Sequence, residues 1–392
     1  MFRLELPKLV GCLARMVRDV GLAEELAQDA FVAALETWPA QGIPDNPGAW
    51  LVTTAKRRAL NAIEHHRMRE RKHDEIAQQL ADPPDDGNDV LTLMFVACHP
   101  VLSPEARVAL TLRLLGGLTT DEIARAFLTS EPTIAQRIVR AKRMLADAGV
   151  GFEIPAPGER VARLASVMEV IYLVFNEGYA ANAGDDAMRP ELVDDALRLA
   201  HMLASLVADD PEVLGLCALV DLHASRMATR LGPDGAPVLL LEQPRHRWDR
   251  PLIRRGLASL TRAEQLGGAG LYVLQARISA CHARALRPED TDWAQIARLY
   301  GALATLRPSP VVEINRAMAV AMTDGPAAGL AIVDAAAVDP ALARYHWLPS
   351  VRGELLARLG RLDEARAELL RAAELAGNAR DREQLRARAA TL

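Results

Sequence analysis

Apolar positions recur along most of this chain at intervals of three and four residues, which is the spacing of one face of an α-helix. Alternating β-branched runs, which would predict strands, are rare, and glycine and proline stand mostly between the periodic segments. At the N-terminus, residues 9–20 and 22–38 predict two helices with a tight connection at Gly21. The pattern predicts an all-α protein.

The most informative segment, residues 118–144, predicts a helix-turn-helix. Thr119 and Glu122 have the spacing of a capping box, and Ser130 with Pro132 predicts the start of a second helix. One face of that second helix is apolar, and the opposite face carries side chains that pair with base edges or phosphates. We interpret it as a major-groove recognition helix, with an amphipathic core helix as the alternative. Its candidate DNA-binding residues are Thr133, Gln136, Arg137, Arg140 and Arg143.

A second candidate surface lies on a long basic helix predicted to begin at Asn46 and Pro47. One of its faces is apolar, and the other places an aromatic ring among cationic and hydrogen-bonding side chains. Such a face suits phosphate contacts and stacking on an unpaired base; a solvated surface with a stray tryptophan is the alternative. The candidates are Trp50, Thr54, Arg57, Arg58 and Asn61.

An acidic arc runs along the helix predicted for residues 22–38, where Glu25, Asp29 and Glu36 share one exposed face. This arc is either solvated or docks on a basic partner. Further along, residues 73–89 become acidic and proline-rich and predict a linker too polar to fold alone. The linker divides a first module, residues 1–72, from a second, residues 90–149.

Composition narrows the function classes. The 392 residues are 50% hydrophobic and carry a formal net charge of −5, so DNA contact must come from local cationic patches. Four cysteines lack CxxC pairing, and no leader or membrane-spanning pattern is present, which together predict a cytoplasmic protein with free thiols. No nucleophile, metal-ligand set or cofactor-binding loop is recognisable, so we predict no catalytic residue, no metal and no cofactor.

The remaining chain predicts a helical extension, residues 150–292, followed by tetratricopeptide-like helical repeats, residues 293–392. Gly325 and Gly360 lie 35 positions apart, close to the repeat length of about 34. The small and large residues around Gly353, Ala365 and Leu369 have the spacing at which two helices of such a repeat pack.

Residues 21–38, 46–63 and 102–145 resemble, in that order, regions 2 and 4 of bacterial sigma factors of the extracytoplasmic-function (ECF) type. Residues 172–179 and 248–256 resemble a subgroup with a tetratricopeptide-like extension. The resemblance implies core RNA polymerase and promoter DNA as partners. It implies that Glu25 and Asp29 bind the β′ clamp helices, that region 4 lies by the β flap, and that the 131–145 helix reads the −35 element. For the −10 element it implies the 46–63 helix together with Gln41, Asp45 and Asn46 of a base-capturing loop.

The leading hypothesis is therefore a sigma factor whose extension regulates it, through a protein partner or by folding onto region 2 or region 4. The alternative is a helix-turn-helix regulator with a tetratricopeptide-like sensory domain that acts without core polymerase. An enzyme using aspartates of the extension is a third reading. The acidic arc on residues 22–38 favours the sigma factor, because the other two leave it unexplained.

Overall fold

A computed structural model describes residues 2–67, 86–127, 129–179, 188–233, 238–377 and 379–392. In these ranges the regular elements are helices and no β-strand occurs, which confirms the all-α prediction. The chain forms two compact units, Met1–Val174 and Phe175–Leu392, and each is described separately.

Unit 1 begins with three mutually packed helices, α1 (Phe2–Val17), α2 (Val20–Gln41) and α3 (Pro47–Arg67). The prediction that α1 and α2 separate at Gly21 is wrong. The chain turns at Arg18, which has a φ of 54°, and Asp19 caps α2 by accepting the Leu22 backbone N–H at 3.0 Å. This cap satisfies the free amides at the start of the helix, so Gly21 lies inside the first turn.

Unit 1 continues with α4 (Asp86–Ala97), α5 (Pro104–Thr111), a π-helical turn (Leu112–Gly116), α6 (Thr120–Ala126) and α7 (Glu131–Asp147). Residues 86–89, which the sequence placed in the linker, form the first turn of α4. They are helical because Asp89 is buried and pairs with Arg15 of α1, with 3.2 Å between Nε and Oδ1. The rest of the predicted linker to residue 85 lies outside the described residues.

The first part of α8 (Pro157–Tyr179) also belongs to unit 1 and packs on α4 and α5. Arg163 donates to the Phe95 carbonyl at 2.7 Å, and the Ser166 hydroxyl donates to the Cys98 carbonyl at 2.6 Å. Burial raises the pKa of the Cys98 thiol to about 11, so this cysteine is an inert core residue. The start of the extension is therefore part of the core that holds the helix-turn-helix.

Unit 2 is a succession of helices in which each packs on the next. Its apolar core includes a cluster from α12 to α14, with Leu274 and Ile296, and a second from α14 to α17, with Val333 and Leu355. The helices are α9 (Pro190–Leu206), α10 (Pro211–Ala224), α11 (Arg250–Gln265), α12 (Leu271–Arg284), α13 (Trp293–Leu306), α14 (Pro310–Thr323), α15 (Pro326–Ala336), α16 (Trp347–Arg358), α17 (Leu362–Leu375) and α18 (Ala379–Ala390).

The small residues predicted for a repeat lie at the contact of α16 and α17. A Cβ on Gly353 would stand 3.0 Å from Leu369 Cγ and 3.1 Å from the Ala365 carbonyl oxygen, so glycine permits this close approach. Gly360 follows α16 with a φ of +77°, the left-handed conformation that glycine adopts at little cost. The helical hairpin is present, and its assignment to the tetratricopeptide class stays a prediction.

Candidate nucleic-acid interface

The helix-turn-helix of unit 1 is held by local caps. Thr119 and Glu122 form the predicted capping box: the hydroxyl accepts the Glu122 N–H at 3.1 Å and the carboxylate accepts the Thr119 N–H at 2.8 Å. Ser130 caps α7 by accepting the Thr133 N–H at 3.3 Å. Thr120 on α6 then donates to the Glu131 carboxylate at 2.9 Å, which fixes the start of α7 against α6.

The recognition face of α7 is open to solvent. Ile134, Ile138 and Leu145 are buried, as the apolar spacing predicts. Arg143 makes an exposed ion pair with Asp147 at 3.5 Å, whereas Arg140 has no carboxylate within 4 Å among the described residues. Of the predicted reading residues, Thr133, Gln136, Arg140 and Arg143 are exposed and Arg137 is partly exposed. The face therefore presents exposed cations and hydrogen-bonding groups, of which Arg143 also pairs with Asp147 and the Thr133 hydroxyl with that of Ser130.

The second surface surrounds the start of α3. Asn46 caps this helix by accepting the Ala49 N–H at 3.0 Å. Trp50 is half-buried and packs edge-on against Trp38, with ring centroids 5.4 Å apart. Of the other predicted residues, Gln41, Asp45 and Arg57 are exposed, Thr54 and Arg58 are partly exposed, and the side chain of Asn61 lies outside the described residues.

A cavity beside Asn46 adds residues that the sequence did not single out. It is lined by Thr53 and Lys56 of α3 and by Lys8 and Glu5 of α1, among others. Lys8 and Lys56 come from two helices, so no local spacing pattern predicts that they share a surface. Together with Asn46 they add polar and cationic groups to a recess that also has an apolar lining, next to the predicted base-capturing loop, and Lys8 lies 3.9 Å from the Glu5 carboxylate.

The acidic arc on α2 is exposed and carries apolar residues as well. Glu25, Asp29 and Glu36 are exposed, and Val32 and Leu35 on the same helix are 50% and 76% exposed. Two large apolar side chains left in solvent beside carboxylates are typical of a docking surface. The apolar pair was missed in the sequence, although its three-residue spacing among the acids is a usable signal.

Three ion pairs connect α2 to the rest of unit 1. Asp29 pairs with Arg58 of α3 at 3.3 Å, with both side chains substantially exposed. Glu24 is buried, and its carboxylate binds Arg113 Nε at 2.6 Å and Lys142 Nζ at 2.5 Å. Glu24 therefore joins α2 to the π-helical turn and to α7, whereas its neighbour Glu25 faces solvent.

Comparisons with known proteins match both modules. The family model of sigma-70 region 2 matches residues 1–69, that of sigma-70 region 4 matches residues 92–145, and a family of unknown function, DUF6596, matches residues 163–264. No solved structure matches the chain. Among the described residues, no helix has the length and apolar character needed to cross a membrane.

Relatives match along different lengths. "Uncharacterized protein R00370" of Rhizobium meliloti is 42% identical over 391 residues, spanning 97% of this chain and 92% of that protein. "ECF RNA polymerase sigma factor SigK" of Mycobacterium sp. strain KMS is 29% identical over 141 residues, 33% of this chain and 72% of that protein. "Probable ECF RNA polymerase sigma factor SigI" of Mycobacterium tuberculosis H37Rv is 28% identical over 169 residues, 41% of this chain and 58% of that protein.

The sigma-70 matches fall on the two modules whose exposed faces are described above, and the match to the Rhizobium protein runs through the extension as well. The chain belongs to the sigma-70 family of RNA polymerase sigma factors, in its extracytoplasmic-function group, and carries a long helical extension after region 4.

Proposed function

We propose that this sigma factor binds core RNA polymerase through the exposed face of α2. The carboxylates of Glu25 and Asp29 supply charge for a basic surface such as the β′ clamp helices, and Val32 and Leu35 supply apolar contact area. Charge complementarity sets orientation and association rate, while the apolar pair supplies desolvated area. In the same assembly region 4 would lie beside the β flap.

Promoter recognition is divided between the two modules. The exposed cations and Gln136 of α7 suit the major groove of the −35 element, where arginine pairs with guanine and glutamine with adenine. The recess beside Asn46, with Lys8 and Lys56, suits a flipped base and its flanking phosphates at the −10 element. Trp50 keeps its proposed stacking role through the part of its ring that Trp38 leaves exposed.

One observation carries the proposal: a single compact unit presents both a cationic recognition helix and an acidic, apolar face on α2. A DNA-binding regulator needs the first surface and has no use for the second.

The test is run-off transcription from promoter fragments with core polymerase alone, with the chain added, and with a Glu25→Lys, Asp29→Lys variant. We expect new discrete transcripts with the parent chain and none with the variant, which should retain its helix content because both side chains are exposed. Binding of the chain to DNA without any transcript at all would favour a conventional regulator.

We also propose that the extension controls the sigma activity through its attachment to region 4. Arg107 of α5 donates to the Ser166 hydroxyl at 2.6 Å and pairs with Glu169 at 3.1 Å, in addition to the contacts of Arg163 described above. These contacts lie on α4 and α5, while the reading residues of α7 stay exposed. These contacts support a mechanism in which the first part of α8 changes how region 4 is held.

A truncated chain tests this regulation, and the structure sets where to cut. Ending the chain near Val150 would strip the part of α8 that packs on Phe95 and Cys98, so the cut belongs after Val174, at the end of unit 1. Regulation predicts a changed transcript yield from this truncated chain, in either direction. An unchanged yield across promoters and conditions would contradict it.

A further inference from the structure

Unit 2 brings a histidine, a cysteine and an aspartate together where α9 meets α10. His201 lies on α9, and Cys217 and Asp221 lie one turn apart on α10. The imidazole Nε2 is 2.9 Å from Asp221 Oδ1 and 3.9 Å from Cys217 Sγ. One ligand atom from each residue lies within 4.8 Å of the other two. Three different metal-binding groups therefore converge on one point.

The separations of these atoms suit a tetrahedral metal ion. Zinc binds sulfur at about 2.3 Å and nitrogen or oxygen at about 2.0–2.2 Å, which places a ligating nitrogen and oxygen roughly 3.3 Å apart and a sulfur and nitrogen roughly 3.6 Å apart. The observed distances of 2.9 and 3.9 Å differ from these by a few tenths of an ångström. The remaining separation, between the Cys217 sulfur and an Asp221 carboxylate oxygen, is at most 4.8 Å, against roughly 3.6 Å in a tetrahedral zinc site, so side-chain rotation would have to complete the geometry.

Arg255 of α11 supplies the outer support that a ligating carboxylate needs. Its Nε donates to Asp221 Oδ2 at 2.9 Å and its Nη2 donates to Oδ1 at 2.7 Å. When Oδ1 turns to a metal, Oδ2 keeps its bond to Nε, and ligating carboxylates are ordinarily held in this way. The planar guanidinium also keeps Nη2 beside Oδ1, whose second lone pair can bind the metal.

Binding by Cys217 involves loss of the thiol proton, so that Cys–SH and M²⁺ give Cys–S–M⁺ and H⁺.

We propose that His201, Cys217 and Asp221 bind one divalent transition-metal ion, with Zn²⁺ the best fit. A mixed sulfur, nitrogen and oxygen donor set favours Zn²⁺ over Mg²⁺ and Ca²⁺, which take oxygen ligands. His201 is 31% exposed, so the site can be reached from solvent and a fourth ligand would be water or a small molecule. These ligands lie on two helices and form no familiar motif, so the site departs from the prediction of no metal. All three residues lie within the segment matched by DUF6596.

The experiment titrates the full-length, reduced chain, stripped of metal by a chelator, with Co²⁺ and then Zn²⁺. We expect one Co²⁺ per chain, a thiolate-to-cobalt charge-transfer band and the strong visible bands of four-coordinate cobalt, all lost on adding one equivalent of Zn²⁺. Cys217→Ser should remove the charge-transfer band and weaken Co²⁺ binding by about 100-fold or more. Cys281→Ser, which alters a partly buried thiol on α12 of the same unit, should leave both unchanged.

A second variant keeps the test decisive. His201→Ala changes a partly exposed side chain and should weaken binding while helix content, measured by circular dichroism, stays intact. Absence of Co²⁺ binding, or a charge-transfer band that survives in Cys217→Ser, would show that the cluster is only a hydrogen-bonded helix contact.

Discussion

The neighbouring acids Glu24 and Glu25 offer a matched pair of perturbations with opposite expected effects. The Glu24 side chain is 5% exposed and binds Arg113 and Lys142, whose side chains are each 22% exposed. Glu25 is exposed on the proposed polymerase face. Replacing each by glutamine changes one charge and almost no volume, so a difference between the two variants reports their surroundings.

The expected magnitude follows from burial. Breaking a fully buried pair by removing one partner costs about 3–5 kcal/mol, because the other charge stays buried without compensation. Here both cations reach solvent in part, and glutamine still accepts a hydrogen bond from Arg113, so we expect Glu24→Gln to lower the free energy of unfolding of unit 1 by about 2–3 kcal/mol. An exposed Glu25→Gln change should stay within about 0.5 kcal/mol.

Hydrogen–deuterium exchange of peptides from α2 and α7 in increasing urea measures the local loss of stability in each variant. A polymerase pull-down provides the second readout. Glu24→Gln should lose protection in both helices, while Glu25→Gln should keep protection and weaken polymerase binding. Equal protection in the two variants would refute the assignment of Glu24 as the link between α2 and α7. Unchanged polymerase binding by Glu25→Gln would remove that residue from the proposed interface.

Three further predictions address other parts of the chain. Arg140→Ala should cost about 1–3 kcal/mol of promoter affinity at the base it reads, measured by competition binding, whereas an equal and smaller loss on every sequence would limit it to a phosphate contact. Gly215→Ala should destabilise unit 2 by about 1–3 kcal/mol in urea unfolding, because the new Cβ would stand 2.7 Å from the Val273 backbone nitrogen. In the control Gly301→Ala the new Cβ would have no atom within 4 Å, so this change should be neutral or stabilising by up to about 1 kcal/mol. Burial, reinforced by nearby arginines, lowers the pKa of His282 to about 3. The neutral imidazole therefore contributes fully to the free energy of unfolding of unit 2 above pH 6.5, and this contribution is lost as the pH falls toward 3. From pH 7 to pH 5 the free energy of unfolding should fall by about 2 kcal/mol because of this group, and His282→Gln should lack that part of the pH dependence.

Features set by nearby residues could be predicted from the sequence. The capping box of Thr119 and Glu122 and the cap at Ser130 depend on residues three positions apart, and the buried stripe of α7 depends on helical periodicity alone. Local spacing failed at Gly21. The Asp19 side chain caps the helix two residues earlier, so the glycine lies inside the first turn of α2 and does not end a helix. Local spacing was therefore enough to predict the helix-turn-helix and the central turns of most helices.

Features set by distant residues could not be predicted. Glu24 and Glu25 are chemically alike, but Arg113, 89 residues away, and Lys142 of α7 pair with the buried Glu24, while Glu25 stays exposed. Likewise, Asp221 meets Arg255 from another helix, 34 residues later. Periodicity describes which side of a helix is apolar, and it does not say which charged side chain will meet that helix in the folded chain.

The exposed ion pair of Asp29 and Arg58 links two interfaces that would otherwise act separately. Asp29 lies on the proposed polymerase face and Arg58 on the proposed −10 face, so each is the other's counterion in the free protein. If the proposed interfaces form, polymerase binding to Asp29 would release Arg58 to a DNA phosphate, and DNA binding to Arg58 would equally release Asp29. Such linkage is reciprocal, and an exposed pair limits it to at most about 1 kcal/mol, or roughly a fivefold cooperativity that added salt should erase.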